Sequence, residues 1–74
     1  MVQLSKLSIN QHAVIVDILT NEIERNRLIS MGFVLGGKVK VIRKHYNGYM
    51  IHCRINSTEF AIREKTANDI LVRI

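Results

Sequence analysis

The stretch RLISMGFVLGGKVKV, Arg27 to Val41, changes its period halfway along. Leu28 and Met31 stand three apart, the spacing of neighbours on one helical face. Val39 and Val41 alternate with Lys38 and Lys40, the spacing of a strand with one buried face. Between the two patterns lie Gly32, Gly36 and Gly37, three of the chain's four glycines. Gly32 falls where a helix ends in the left-handed conformation, which glycine adopts without steric penalty. Gly36 and Gly37 then turn the chain into the strand. The stretch therefore predicts a short helix, a glycine turn and a strand.

Upstream, HAVIVDIL from His12 to Leu19 is rich in β-branched residues and reads as a strand, with Val14, Val16 and Ile18 on its better-buried face and Asp17 on the other. Asn21 followed three residues later by Glu24 is a capping-box pattern that opens the helix. Glu22 and Glu24 suit the positive end of its dipole, and Arg25 and Arg27 lie nearer the negative end. Downstream, GKVKVIRKH (Gly37–His45) and YMIHCRI (Tyr49–Ile55) alternate as strands, the second with Ile51, Cys53 and Ile55 inward. EFAIR (Glu59–Arg63) places Phe60 and Ile62 inward. A helical turn at Lys65–Asn68 precedes a last strand, Ile70–Ile74. The expected fold is mainly β: a small SH3-like barrel of about five strands, with one short helix between the first and second and a helical turn before the last. Residues 1–74 form a single domain in this reading.

Parity settles the central hairpin at this level. A two-residue Asn47-Gly48 turn would set Val41 against Arg54, a core residue against an exposed one. A three-residue Tyr46-Asn47-Gly48 loop instead pairs Val41 with Cys53 and Val39 with Ile55, with Gly48 in the left-handed position. Lys40 then faces Arg54, Ile42 faces His52, Lys44 faces Met50, and Arg63 lies beside His52. The outer face becomes a cationic stripe of Lys40, Lys44, Arg54 and Arg63, which suits an acidic partner or protects a sheet edge.

Composition narrows the function. The chain has 74 residues, 47% of them hydrophobic, no tryptophan, and a net charge of +5. The charge favours acidic partners. One cysteine permits no internal disulfide and fits a reducing compartment. MVQLSKLS lacks the apolar core of a secretory signal, and no run approaches the roughly 20 apolar residues of a membrane span. A soluble cytoplasmic protein without direct membrane insertion is expected. His12, His45, His52 and Cys53 are the only soft metal ligands, and His52 and Cys53 point to opposite faces of one strand, so no metal set is assigned. No Ser-His-Asp arrangement and no phosphate-binding Gly-Lys-Ser/Thr ending appear, so neither catalytic residues nor a cofactor are expected.

The order of elements and the opening stretch resemble the FeoA family, small cytoplasmic components of the bacterial Feo ferrous iron transport system. RLISMGFVLGGKVKVIR is similar to the family's Arg-Leu-x-x-Leu-Gly-x-x-Pro-Gly-x-x-Val-x-Val-x-Arg pattern. Arg27, Leu28, Met31, Gly32, Gly36, Val39, Val41 and Arg43 occupy the matching places. LSKLSINQHAVIV resembles the family's opening, and FAIREKTANDILV its last segment. Leu35 stands where the family usually has proline, and Asn10 where it often has glycine; asparagine also tolerates positive φ. The resemblance implies a non-enzymatic accessory protein that docks on the cytoplasmic part of the FeoB transporter, held at the inner membrane through that partner. Leu28, Ile29, Met31 and Phe33, flanked by Arg25 and Arg27, exceed what one small barrel is expected to bury and leave an apolar docking patch, to which Leu28, Met31 and Phe33 are assigned, with the cationic stripe as a second surface. The alternative is a small basic barrel binding RNA or DNA. Single-strand binders stack bases on aromatic residues, and only Tyr46 and Tyr49 are placed to serve, so stable nucleic-acid binding is not expected. A free-standing relative of the SH3-like domain of metal-dependent repressors is a third reading, and it lacks a helix-turn-helix of its own.

Overall fold

Backbone pairing organises the chain around one antiparallel sheet, described by a computed structural model for residues 1–45 and 49–74. Among these residues the elements are β1 (Val2–Gln3), a 3-10 turn (Leu4–Lys6), β2 (His12–Ile18), α1 (Glu22–Met31), β3 (Lys38–His45), β4 (Met50–Ile55), β5 (Thr58–Arg63), α2 (Glu64–Ala67) and β6 (Ile70–Arg73). The sheet order is β1-β6-β2-β3-β4-β5. Five of the six strands lie where alternation places them, within a residue or so at each end. The sixth, β1, has only two residues and pairs with β6 through Val2↔Val72 and Gln3↔Leu71. Two residues are too few to show a period.

The core is aliphatic. Leu4, Leu7, Ile15, Leu28, Phe33, Val39, Val41, Cys53, Ile62, Ile70 and Val72 are all buried, and no polar or charged residue is buried among the described residues. Val39, Val41, Ile51, Cys53, Ile55 and Ile62 point inward as their alternation requires, and Phe60 packs on the core from its edge. Leu4 and Leu7, one helical turn apart on either side of Lys6, close one side of the core before the first long strand begins.

Two bulges correct the expected faces. In β2 the buried residues are Ala13, Ile15 and Ile18, whereas Val14 and Val16 are only half-buried. The ladder to β6 steps from Ile15↔Val72 directly to Asp17↔Leu71, leaving Val16 as the extra residue. One inserted residue inverts the parity of everything beyond it, so Ile15 and Ile18 share a face that strict alternation denies them. In β3 the pairs Lys40↔Arg54 and Val41↔Cys53 match expectation, and Ile42 then bulges out. Beyond it Arg43 faces His52, Lys44 faces Ile51 and His45 faces Met50, in place of Ile42 with His52 and Lys44 with Met50. On the other side of β4, Arg63 pairs with Met50 and Ala61 takes the place beside His52. The proposed Tyr46-Asn47-Gly48 turn lies outside the described residues.

Helix α1 starts and stops on the predicted signals. Asn21 Oδ1 accepts the Glu24 N–H at 2.8 Å, satisfying one free donor of the first turn. Gly32 sits at φ 107° and its N–H donates back to the Ile29 and Leu28 carbonyls. The following loop is pinned to β2 from both sides: Gly36 donates to the Ile15 carbonyl at 2.8 Å, and Ile15 donates to the Gly37 carbonyl at 2.9 Å. At Gly37 a β-carbon would stand 3.0 Å from the Val34 carbonyl oxygen, too close for any side chain to enter without movement. Asn10, at φ 71°, adopts the left-handed conformation expected of a glycine substitute and donates to the Val41 carbonyl.

Candidate docking surface

Helix α1 is a ridge rather than a buried rod, because Leu28 is its only fully buried residue. At about 100° per residue, Arg25 and Ile29 fall on one flank of Leu28, and Glu24, Arg27 and Met31 on the other. The two flanks differ in chemistry.

On the first flank Ile18, Arg25, Ile29, Phe33, Val34 and Leu35 line a hollow of ≈ 130 Å³. Ile29, Val34 and Leu35 are exposed at 45%, 43% and 64%, enough apolar surface in one place to form a contact. Arg25 Nη2 donates to the Ile18 carbonyl at 2.6 Å, which fixes the guanidinium at the rim. Leu35, standing in the position the family gives to proline, is the most exposed of the three.

On the second flank Arg27 donates through Nε to Glu24 Oε2 at 3.1 Å, with a second, parallel contact from Nη2 to Oε1. The guanidinium holds the Glu24 carboxyl below its ordinary value, with a smaller contribution from Arg63, and the carboxylate raises Arg27 in return. Met31 packs against the core and lies within 3.7 Å of Arg27 through its sulfur.

These placements change the expected docking set. Leu28 and Phe33 have no exposed surface, so neither side chain is available to a partner; they anchor the ridge and the floor of the hollow from within. Leu28 closes on the core as the one fully buried residue of α1, and Phe33 follows the turn at Gly32, where its ring meets Phe60 at 6.2 Å. Met31 is half-buried, while Arg25 and Arg27 are exposed. Of that leftover apolar set Ile29 is the member left exposed, and the exposed apolar residues beside it that pattern reading passed over are Val34 and Leu35. Their signal was present as two further apolar residues between Phe33 and the Gly36-Gly37 turn.

The cationic stripe is also redistributed. Lys40 and Arg54 stay opposed at one end, and Arg54 pairs with Glu59 at 3.4 Å. Lys44 leaves the outer face because the Ile42 bulge turns it toward the side of Ile51, and its Nζ donates to the Ser5 carbonyl at 3.1 Å. Arg43 and His45 take its place outside, with the His45 and His52 rings 4.6 Å apart. Arg63 stands away from this group, in a cleft beside Lys65 and Arg27. No set of three His, Cys, Asp or Glu side chains comes together among the described residues. Cys53 is fully buried, and burial pushes its thiol from the ordinary 9.0 up to about 12. Among the described residues no helix is long and apolar enough to cross a membrane.

A six-stranded antiparallel sheet with a few short helices defines a small β domain of the SH3-like class. The chain belongs to the FeoA family, whose domain matches residues 2–74. Among solved structures it is similar to the FeoA protein of Chlorobium tepidum, at 30% identity and a TM-score of 0.91, over 97% of this chain and 69% of that one. It is likewise similar to zinc-complexed FeoA of Stenotrophomonas maltophilia, at 30% identity and a TM-score of 0.80, over 97% and 89% of the two chains. That protein is described as a procaryotic SH3 domain protein and a candidate activating factor of ferrous iron transport. A manganese-dependent transcriptional repressor shares the fold alone, at 19% identity and a TM-score of 0.86, with this chain spanning 41% of its length. Among curated proteins none matches the sequence.

Proposed function

We propose that this chain is a non-enzymatic accessory protein of ferrous iron uptake that docks on the cytoplasmic part of the FeoB transporter. The observation that carries the reading is the hollow beside α1. Ile29, Val34 and Leu35 are exposed together, next to an arginine held in place by the Ile18 carbonyl. An exposed apolar patch with a cation anchored at its rim favours association with another protein. Family membership and the description given to the S. maltophilia relative supply the partner system.

The mechanism is binding without chemistry on iron. A domain that prefers one conformation or oligomeric form of the transporter shifts its population by the difference in affinity between the forms. The chain works in the cytoplasm and reaches the inner membrane through its partner. Purified chain titrated onto the immobilised cytoplasmic part of the transporter is expected to give saturable binding that an unrelated basic domain of similar size does not reproduce. Equal signals from the two domains would reduce the interaction to charge alone and remove the docking reading.

A further inference from the structure

We infer that the cleft on the second flank of α1 receives an acidic peptide segment of the partner. The cleft lies between α1 and the β5–α2 corner and has a volume of ≈ 420 Å³. Three cations reach it: Arg27 from the helix, and Arg63 and Lys65 from the corner. Among the described residues Glu24 is the one acid on its wall and is already paired with Arg27, so Arg63 and Lys65 leave it with a net charge of about +2. All three cations are on exposed residues, and no ion pair binds Arg63 or Lys65 among the described residues. This inference rests on the docking reading in taking a protein as the partner, and it extends the contact from one flank of the ridge to both.

The chemistry of the cleft selects among anions. Met50 and the exposed Ala61 supply apolar wall between the cations, which suits carboxylates carried on a chain that also has aliphatic groups. Nucleic acid is disfavoured: among the described residues neither phenylalanine nor tyrosine lines the cleft to stack a base. A lone phosphate would need several converging donors, and one of the two guanidiniums, that of Arg27, is already held by Glu24. A segment bearing one or two Asp or Glu residues beside a leucine matches the charge and the wall together.

The test uses a fluorescein-labelled peptide that alternates aspartate and leucine, with an asparagine–leucine peptide as its uncharged counterpart. Fluorescence anisotropy is expected to show binding of the acidic peptide to the full chain. The double variant Arg63→Gln, Lys65→Gln is expected to weaken it about tenfold, and Lys38→Gln, Arg73→Gln at the far end of the sheet to leave it unchanged. Circular dichroism melting checks each variant, and Lys65→Gln alone serves if the double variant loses its fold. Equal weakening by both double variants would show diffuse attraction and overturn the proposal, as would tighter binding of a single-stranded oligonucleotide or displacement of the peptide by inorganic phosphate at equal charge. The same variants are then titrated onto the transporter. Wild-type binding that the cleft variant leaves intact would overturn the cleft's role while docking stands. Absence of wild-type binding would overturn the docking reading by itself, and the peptide result then decides the cleft alone.

Discussion

Leu28 and Ile29 are consecutive residues on α1 with opposite fates, one at 0% and the other at 45% exposure. A polar amide at the first must be buried without a partner, so Leu28→Gln is expected to destabilise the fold by about 3 kcal/mol, read as a lowered urea midpoint. Its effect on docking follows from unfolding rather than from lost contact. Cys53 offers a second check at this scale. Its thiol, raised to about 12, is almost entirely protonated at neutral pH, and its sulfur is shielded by the sheet. Native protein is expected to react with a bulky thiol reagent about 1000-fold more slowly than denatured protein, from the thiolate fraction alone. Matching rates would show that the β4 face is open. Alternation alone located Cys53 and Val39 in the core, since each is flanked by polar neighbours on its strand. Leu28 and Phe33 were not separable from Ile29 and Val34 in this way, because a run of mixed apolar residues around a glycine carries no period that says which of them turn inward.

Elements were legible where their boundaries carry chemistry, and less so where a strand carries an extra residue. Asn21 and Gly32 bracket α1 as capping rules require. Asn21→Ala is expected to cost about 1 kcal/mol by leaving the Glu24 N–H without its side-chain acceptor. Gly32→Ala should cost about 1–2 kcal/mol, since a β-carbon at φ 107° is strained and would press within 3.3 Å of Ile55 Cγ2. Equal midpoints for wild type and Gly32→Ala would contradict the left-handed cap. The Glu24–Arg27 pair adds a pH signature. The carboxyl is depressed below its ordinary 4.5, so its contribution is full above that value and is lost as pH falls through the lowered one. Solvent screening holds it to a few tenths of a kcal/mol, visible as a wild-type advantage over Glu24→Gln that vanishes in acid. The two bulges differ in legibility. HAVIVDIL is apolar at both parities, so an inserted residue at Val16 breaks no visible pattern. In KVKVIRKH the adjacent Val41 and Ile42 interrupt the alternation, and that doublet is the mark of the bulge.

For the whole molecule, the family and fold class follow from the order of elements, whereas the sharing of surface between core and partner required the packed structure. The N-terminal strand and the Leu4–Leu7 closure arise from contacts with β6, more than 60 positions away in sequence, which no local pattern announces. The net charge of +5 is likewise uninformative until its members are placed: Lys44 is tied to the Ser5 carbonyl and Arg54 to Glu59, while Arg63 and Lys65 gather beside α1. Transporter binding through both flanks is therefore expected to have a partial salt dependence, with the cleft screened at high ionic strength and the apolar hollow retained. The central claim, docking through the α1 ridge, is tested most directly by titrating Ile29→Asp, Leu35→Asp double variant and wild type onto the purified cytoplasmic part of the transporter, with unfolding midpoints measured in parallel. Both residues are exposed, so the midpoint should stay within a degree or so of wild type, while binding weakens by about 1–3 kcal/mol, roughly 5- to 150-fold. Full affinity in a fully folded variant would contradict the account.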